Sequence, residues 1–194
     1  MKRKNILLIL LLLVCVCILS ACGKNKGETD AKVKSKNYKN IEITSENPKE
    51  EVANHLLENV EVECSEEDIN DYIKELEAYY INYSSYFGVD LDTYIKDYLG
   101  KTREEFDKEA RESAIEYVKT KAILLEIAKK EKIELTDEDY ELYLEEMFKD
   151  TSYNSLDDFK LNIKDNGQEE NMRESAYLDK ILKHIIDINA KKEK

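Results

Sequence analysis

The sequence predicts an all-α protein: an elongated multi-helix domain with two helical arms built from a degenerate repeat, set after a signal peptide and a flexible tether. Three observations carry this prediction. The chain of 194 residues has one proline and no tryptophan, and Lys, Glu, Leu, Ile and Tyr dominate it, as in helical proteins. From Pro48 onward apolar residues recur at spacings of three, four and seven, the helical period. One order of caps, helices and glycines occurs twice.

Residues 1–21 fit a signal peptide. Lys2, Arg3 and Lys4 precede thirteen apolar residues from Ile6 to Ile18, fewer than the roughly 20 that span a bilayer but suited to a signal h-region. Leu19-Ser20-Ala21-Cys22 resembles the lipobox of bacterial lipoproteins, which makes Cys22 the expected site of lipid attachment, including a palmitate chain. The implied location is the outer, extracytoplasmic face of a cell membrane, in a Gram-positive bacterium. Removal of residues 1–21 takes away three basic and no acidic residues, so the net charge moves from −13 to −16. Such acidity excludes nucleic acid, whose phosphates need a basic footprint, and suits solubility. Cys15 and Cys17 leave with the signal, so only Cys64 remains and no internal disulfide forms.

Residues 22–37 comprise Cys22 and a polar stretch without apolar period, expected to be a disordered tether. Residues 38–64 are a short extended segment and a helix: Pro48 suits its first turn, Asn47 its cap, and Val52, Leu56, Leu57 and Val60 its apolar side. Residues 65–133 form the first repeat. Ser65 opens a helix bearing Ile69, Tyr72, Ile73 and Leu76 that ends near Gly88. Asp90 opens a short helix with Leu91, Tyr94, Ile95 and Tyr98, closed by Gly100. Thr102 with Glu105 forms a capping box for a long helix to Ile133, whose stripe includes Phe106, Ala110, Ala114, Tyr117, Val118, Ala122, Leu124, Leu125, Ile127 and Ala128. It needs partners along its length and is expected to be fully buried. Residues 134–190 form the second repeat: Thr136 opens a helix with Tyr140, Tyr143 and Leu144, Ser155 a shorter one with Phe159 and Ile163 closed by Gly167, and a last helix carries Met172, Ala176, Ile181, Leu182 and Ile185. Residues 191–194 are a charged tail. The caps Ser65 and Thr136, the caps Asp90 and Ser155, and the glycines Gly100 and Gly167 correspond at offsets of 71, 65 and 67, a drift that loop lengths explain.

These residues bear a family likeness. Val60-Glu-Val-Glu-Cys-Ser-Glu-Glu-Asp-Ile69, Tyr94-Ile-Lys-Asp-Tyr-Leu-Gly-Lys-Thr-Arg-Glu-Glu-Phe106, Val118-Lys-Thr-Lys-Ala-Ile-Leu-Leu-Glu-Ile-Ala128, Ile133-Glu-Leu-Thr-Asp-Glu-Asp139 and Ser155-Leu-Asp-Asp-Phe159 follow one another in an order that resembles the C-terminal, two-armed helical domain of the bacterial trigger factor chaperone. That domain is similar in fold to the SurA-type peptide-binding domain. Nothing in the chain resembles the family's ribosome-docking or FKBP-like prolyl isomerase domain. The resemblance implies capture of unfolded or extended secreted polypeptides between arms, with no catalysis and no cofactor. The alternative is a membrane-anchored structural module that binds one specific partner; a homo-oligomer is left open.

No catalytic constellation stands out. His55 and His184 are far apart in sequence, no His-Cys cluster has metal spacing, and the acidic residues sit at helix starts, where they cap amides. Tyrosine is the informative excess, at thirteen residues. Tyr79, Tyr80, Tyr83, Tyr86 and Phe87 crowd one helix end. With about 100° between neighbours, they cannot all enter one narrow stripe, so some face a groove, a partner or solvent. Met147, Phe148 and Tyr153 hold the equivalent place in the second repeat. These eight are the candidate peptide-binding residues; the competing reading is that they pack the core.

Overall fold

The computed structural model describes residues 38–190, and the regular elements among them are all α-helices. In order they are α1 (Pro48–Asn59), α2 (Glu66–Ser85), α3 (Leu91–Asp97), α4 (Arg103–Glu131), α5 (Asp137–Phe148), α6 (Leu156–Asp165) and α7 (Glu169–Ala190). The expected all-α class is observed. The signal peptide, Cys22, the tether over 22–37 and the tail at 191–194 lie outside the described residues. No helix among the described residues is long and apolar enough to cross a membrane.

Local chemistry sets most helix starts. Ser65 Oγ accepts the Asp68 amide at 3.0 Å, and Ser155 Oγ accepts that of Asp158 at 3.1 Å. Thr102 and Thr136 form full capping boxes with Glu105 and Asp139, each satisfying orphan donors in both directions. Asn47 departs from expectation. It occupies the cap position of α1, but its side chain accepts nothing there and donates from Nδ2 to Glu50 at 3.0 Å. The Glu51 carboxylate turns back instead and accepts the amides of Thr44 and Ser45 and the Thr44 hydroxyl. Those bonds, led by the Ser45 amide, hold its pKa below the usual carboxylate range.

The chain packs as two compact units. One is Glu63–Lys119; the described residues of the other are 38–62 and 120–190. The boundary falls inside α4, so each unit uses part of that helix. In the first unit, Ile69 and Tyr72 of α2 cluster with Ala114 and Val118 of α4, while Leu76 clusters with Ile95, Phe106 and Ala110. Later α2 residues thus meet earlier α4 residues, an antiparallel pairing. The small side chains of Ala110 and Ala114 leave room for α2, and Tyr117 stacks on Tyr72 at 4.2 Å. Tyr117 and Leu125 are half-buried, so the stripe of α4 is not covered at every position expected.

In the second unit α1 packs on α7, and α5, α6 and α7 pack on one another. Here α4 buries a wider arc, including Thr120, Ala122, Ile123, Leu124, Ile127 and Ala128. The helix stops at Glu131 rather than Ile133. Lys132 takes a left-handed φ of 56°, and the Ile133 amide donates back to the Ala128 carbonyl at 2.9 Å, a glycine-type helix end built without glycine.

The segment before α1 is clasped to the ends of α4 and α7. Asn189 is buried and its amide is saturated: Oδ1 accepts Asn40 N–H at 2.7 Å and Ile41 N–H at 2.9 Å, and Nδ2 donates to the carbonyls of Tyr38 and Ile185. Tyr38 is fully buried and its hydroxyl donates to Glu131 at 2.6 Å. Lys39 pairs with the same carboxylate at 2.7 Å and is the leading cause of its lowered pKa.

Two outcomes test this frame. Asn189→Ala strands two amides and is expected to cost about 2–4 kcal/mol in urea unfolding, with faster hydrogen exchange at Asn40 and Ile41. The Lys180 ammonium, then the Thr136 donors, hold the Asp139 carboxyl at about 2. Because that value lies below the unfolded one of roughly 3.9, its contribution is complete above about pH 4 and is lost as pH falls through 2. Asp139→Asn is therefore expected to cost about 1 kcal/mol at pH 7 and almost nothing near pH 2.

Candidate functional site

The site grows from the end of α2, the turn after it and α3. Ser84 is buried, and its hydroxyl donates to the Ile81 carbonyl at 2.9 Å. The Phe87 amide donates to Ser84 and the Gly88 amide to Ser85, each at 3.0 Å. Gly88 has φ +69°, a conformation that side-chain-bearing residues adopt at a cost. Asp90 then caps α3 by accepting the Thr93 amide at 2.8 Å, which lowers its carboxyl pKa. The chain reverses within a few residues, which brings the rings of α2 onto those of α3.

Those rings form one connected cluster. Tyr94 is buried at its centre, with Tyr98 stacked at 5.3 Å, Phe87 at 5.5 Å, Tyr83 edge-on at 5.8 Å and Tyr80 at 6.4 Å. Burial, then the neighbouring phenols, raises the Tyr94 pKa. Tyr80 meets Phe106 edge-on at 5.1 Å, which ties the cluster to α4. Tyr79 stacks on Tyr83 at 6.0 Å. Such contacts add about 0.5–1.5 kcal/mol each beyond area burial, and they fix ring orientation.

The outer rings face solvent. Tyr86 is 80% exposed, Tyr98 52%, Phe87 44% and Tyr83 41%, and Ile81 lies exposed on the same helix end. Contiguous exposed apolar surface of this kind marks an interaction site more often than scattered single residues do. Of the residues singled out from sequence in the first repeat, Tyr83, Tyr86 and Phe87 are exposed. Tyr79 and Tyr80 are half-buried and brace them. Tyr98 belongs with the exposed set although its spacing placed it on the apolar side of α3. Tyr98 keeps that spacing, its amide donating to the Tyr94 carbonyl at 3.0 Å and its ring stacked on Tyr94, but it lies at the outer edge of the cluster, which no spacing marks.

The second repeat offers a smaller surface. Phe148 and Tyr153 approach Phe159 at 6.3 and 5.5 Å. Met147 and Phe148 are half-buried and Tyr153 is exposed. Leu142 and Leu161 are also exposed, at positions that no motif or spacing in the sequence marks. Cys64 is half-buried beside the Ile69 cluster, and burial pushes its thiol pKa up, which disfavours the nucleophilic thiolate. Among the described residues, no three or more His, Cys, Asp or Glu are grouped to hold a metal ion.

The family model described as bacterial trigger factor protein C-terminus matches residues 28–187. The chain is 32% identical over 166 residues to a trigger factor from Clostridium tetani, covering 84% of this chain and 36% of that protein. A trigger factor from Halothermothrix orenii is 31% identical over 143 residues, with 72% and 32% covered. One from Staphylococcus carnosus is 28% identical over 155 residues, with 79% and 32% covered. The chain therefore spans about a third of the length of the curated relatives it matches. No solved structure matches it. These relatives overturn the expected location: trigger factors are cytoplasmic, ribosome-associated chaperones, in conflict with a lipid-anchored place on the outer face of a cell membrane.

The inner and outer rings are expected to separate in mutational tests. Tyr94→Ala removes the buried centre and should cost about 3–5 kcal/mol. Tyr86→Ala should change stability by less than about 0.5 kcal/mol. Denaturant unfolding monitored by circular dichroism measures both.

Proposed function

The chain belongs to the bacterial trigger factor C-terminal family, and we propose on that premise that it binds unfolded or extended polypeptide segments as a chaperone, without a catalytic step. One observation carries the reading: the exposed ring surface of Tyr83, Tyr86, Phe87 and Tyr98, braced from beneath by Tyr94. Apolar side chains of a client lose water against these rings, at roughly 25 cal/mol per Å² removed from solvent. Tyrosine gives large contact area with few rotatable bonds and a polar tip that tolerates varied neighbours. Capture of this kind is reversible and needs no nucleotide.

The matched region is the C-terminus of trigger factor, not its prolyl isomerase domain, so the proposed activity is holding alone. We further propose that residues 65–133 and 134–190 are two copies of one unit. The paired cap bonds of Ser65 and Thr136, and the like φ of 66° at Gly100 and Gly167, support this. Met147, Phe148 and Tyr153 then form the second copy's smaller client surface.

The test is light scattering by a chemically denatured protein diluted into buffer with the full chain. At several-fold molar excess the chain should slow aggregation. The variant carrying Tyr83→Ser, Tyr86→Ser, Phe87→Ser and Tyr98→Ser, with native circular dichroism, should lose most of that effect. No slowing by the unmodified chain overturns the proposal. A single stoichiometric partner in pull-downs, with no effect on aggregation, identifies a partner-specific module instead.

A further inference from the structure

We propose that Arg103 is the positioning residue of the ring surface: its guanidinium clips α2, α3 and α4 together at the foot of the cluster, and its charge sets how well the rings meet a client. This rests on the client-binding reading above and names what regulates that surface. Arg103 stands at the start of α4. Its Nη2 donates to Glu77 of α2, Nη1 to Asp92 of α3 at 3.3 Å, and Nε to Asp107 of α4 itself at 2.7 Å. The guanidinium also lies over the Phe106 ring at 5.8 Å. A planar fork of five donors holds three carboxylates in set directions; the point charge of an ammonium does not.

The residues it holds lead straight to the rings. Glu77 lies one helical turn before Tyr80 and Ile81, Asp92 lies two residues before Tyr94, and Phe106 is the ring that Tyr80 meets edge-on. Tyr83 reaches Tyr94 from α2, while Tyr98 stacks on it from α3, so a shift of α3 away from α2 parts the exposed rings. An exposed ion pair by itself contributes little. Loss of Arg103 does more than delete pairs, because Glu77, Asp92 and Asp107 then face one another without their shared counter-charge and repel. Neighbouring cations are committed elsewhere: Lys101 pairs with Glu109, and Lys74 with Asp71. Repulsion between exposed carboxylates is screened over about 10 Å at 0.1 M salt and about 3 Å at 1 M. The damage from losing the charge therefore depends on ionic strength, whereas damage from lost packing does not.

The experiment compares the full chain with Arg103→Met, which keeps an apolar stem, with Arg103→Lys, and with Arg103→Met combined with Asp92→Asn. The first readout needs no client: hydrogen exchange of residues 89–98 by mass spectrometry. At about 20 mM salt Arg103→Met should exchange there about tenfold faster. Raising salt to about 1 M, or adding Asp92→Asn, should remove most of that excess, and Arg103→Lys should show little of it. The second readout is fluorescence anisotropy of an uncharged twelve-residue peptide of Leu, Phe, Ser and Gly. Arg103→Met should weaken its binding about tenfold at low salt, with the same two rescues. Unchanged exchange in Arg103→Met, an excess that neither salt nor Asp92→Asn reduces, or unchanged peptide affinity in a loosened α3 overturns the proposal. If exchange behaves as expected but the unmodified chain neither binds the peptide nor slows aggregation, the client-binding reading falls, and Arg103 keeps only its hold on α3.

Discussion

The apolar stripe of α4 must be covered from Phe106 to Ala128, and the neighbouring elements are arranged by that requirement. A helix of 29 residues gains little stability from propensity alone; packing of its apolar face supplies the rest. Its early part carries Phe106, Ala110, Ala114 and Val118 at intervals of four, a narrow stripe that α2 and α3 cover within one unit. Its later part buries Ile123, Leu124, Ile127 and Ala128, a broader arc that belongs to the core of the other. One helix thus serves two cores by changing the width of its apolar face.

The ring cluster depends on the same stripe. Phe106 lies in the α4 core and meets Tyr80, Tyr80 meets Tyr94, and Tyr94 supports the outer rings. The exposed aromatics are therefore not loose side chains on a loop. They are the outer layer of a packed core whose inner layer is anchored on α4. This continuity shows how the exposed rings are supported from beneath, and why a tight turn at Gly88, capped on its far side by Asp90, is needed to bring α3 against the end of α2.

Local features of this fold were legible in the sequence because their partners are three residues apart. Ser65 with Asp68, Thr102 with Glu105, and Thr136 with Asp139 name their own helix starts. Asn47 misled because its side chain donates to the Glu50 carboxylate instead of accepting a first-turn amide. The Asn189 clasp had no sequence signal: its partner at Asn40 is 149 residues distant, and an asparagine near the end of an amphipathic helix looks like any other polar residue. At the site, Tyr83, Tyr86 and Phe87 were recognisable because 100° steps around a helix cannot bury them all. Tyr98 was concealed because it keeps the four-residue spacing of a buried position and stacks on Tyr94, while its outer side stands in solvent. The expected location rested on residues 1–22 alone, and the trigger factors that match most of the chain contradict it.

The central claim is that client segments settle on the rings at the end of α2 and on α3. Hydrogen exchange of the full chain, followed by mass spectrometry with and without a saturating unfolded polypeptide, tests it most directly. Binding at the rings slows exchange across residues 79–98 and leaves α1 unchanged. Binding accompanied by protection only elsewhere, with residues 79–98 exchanging as in the free chain, contradicts it.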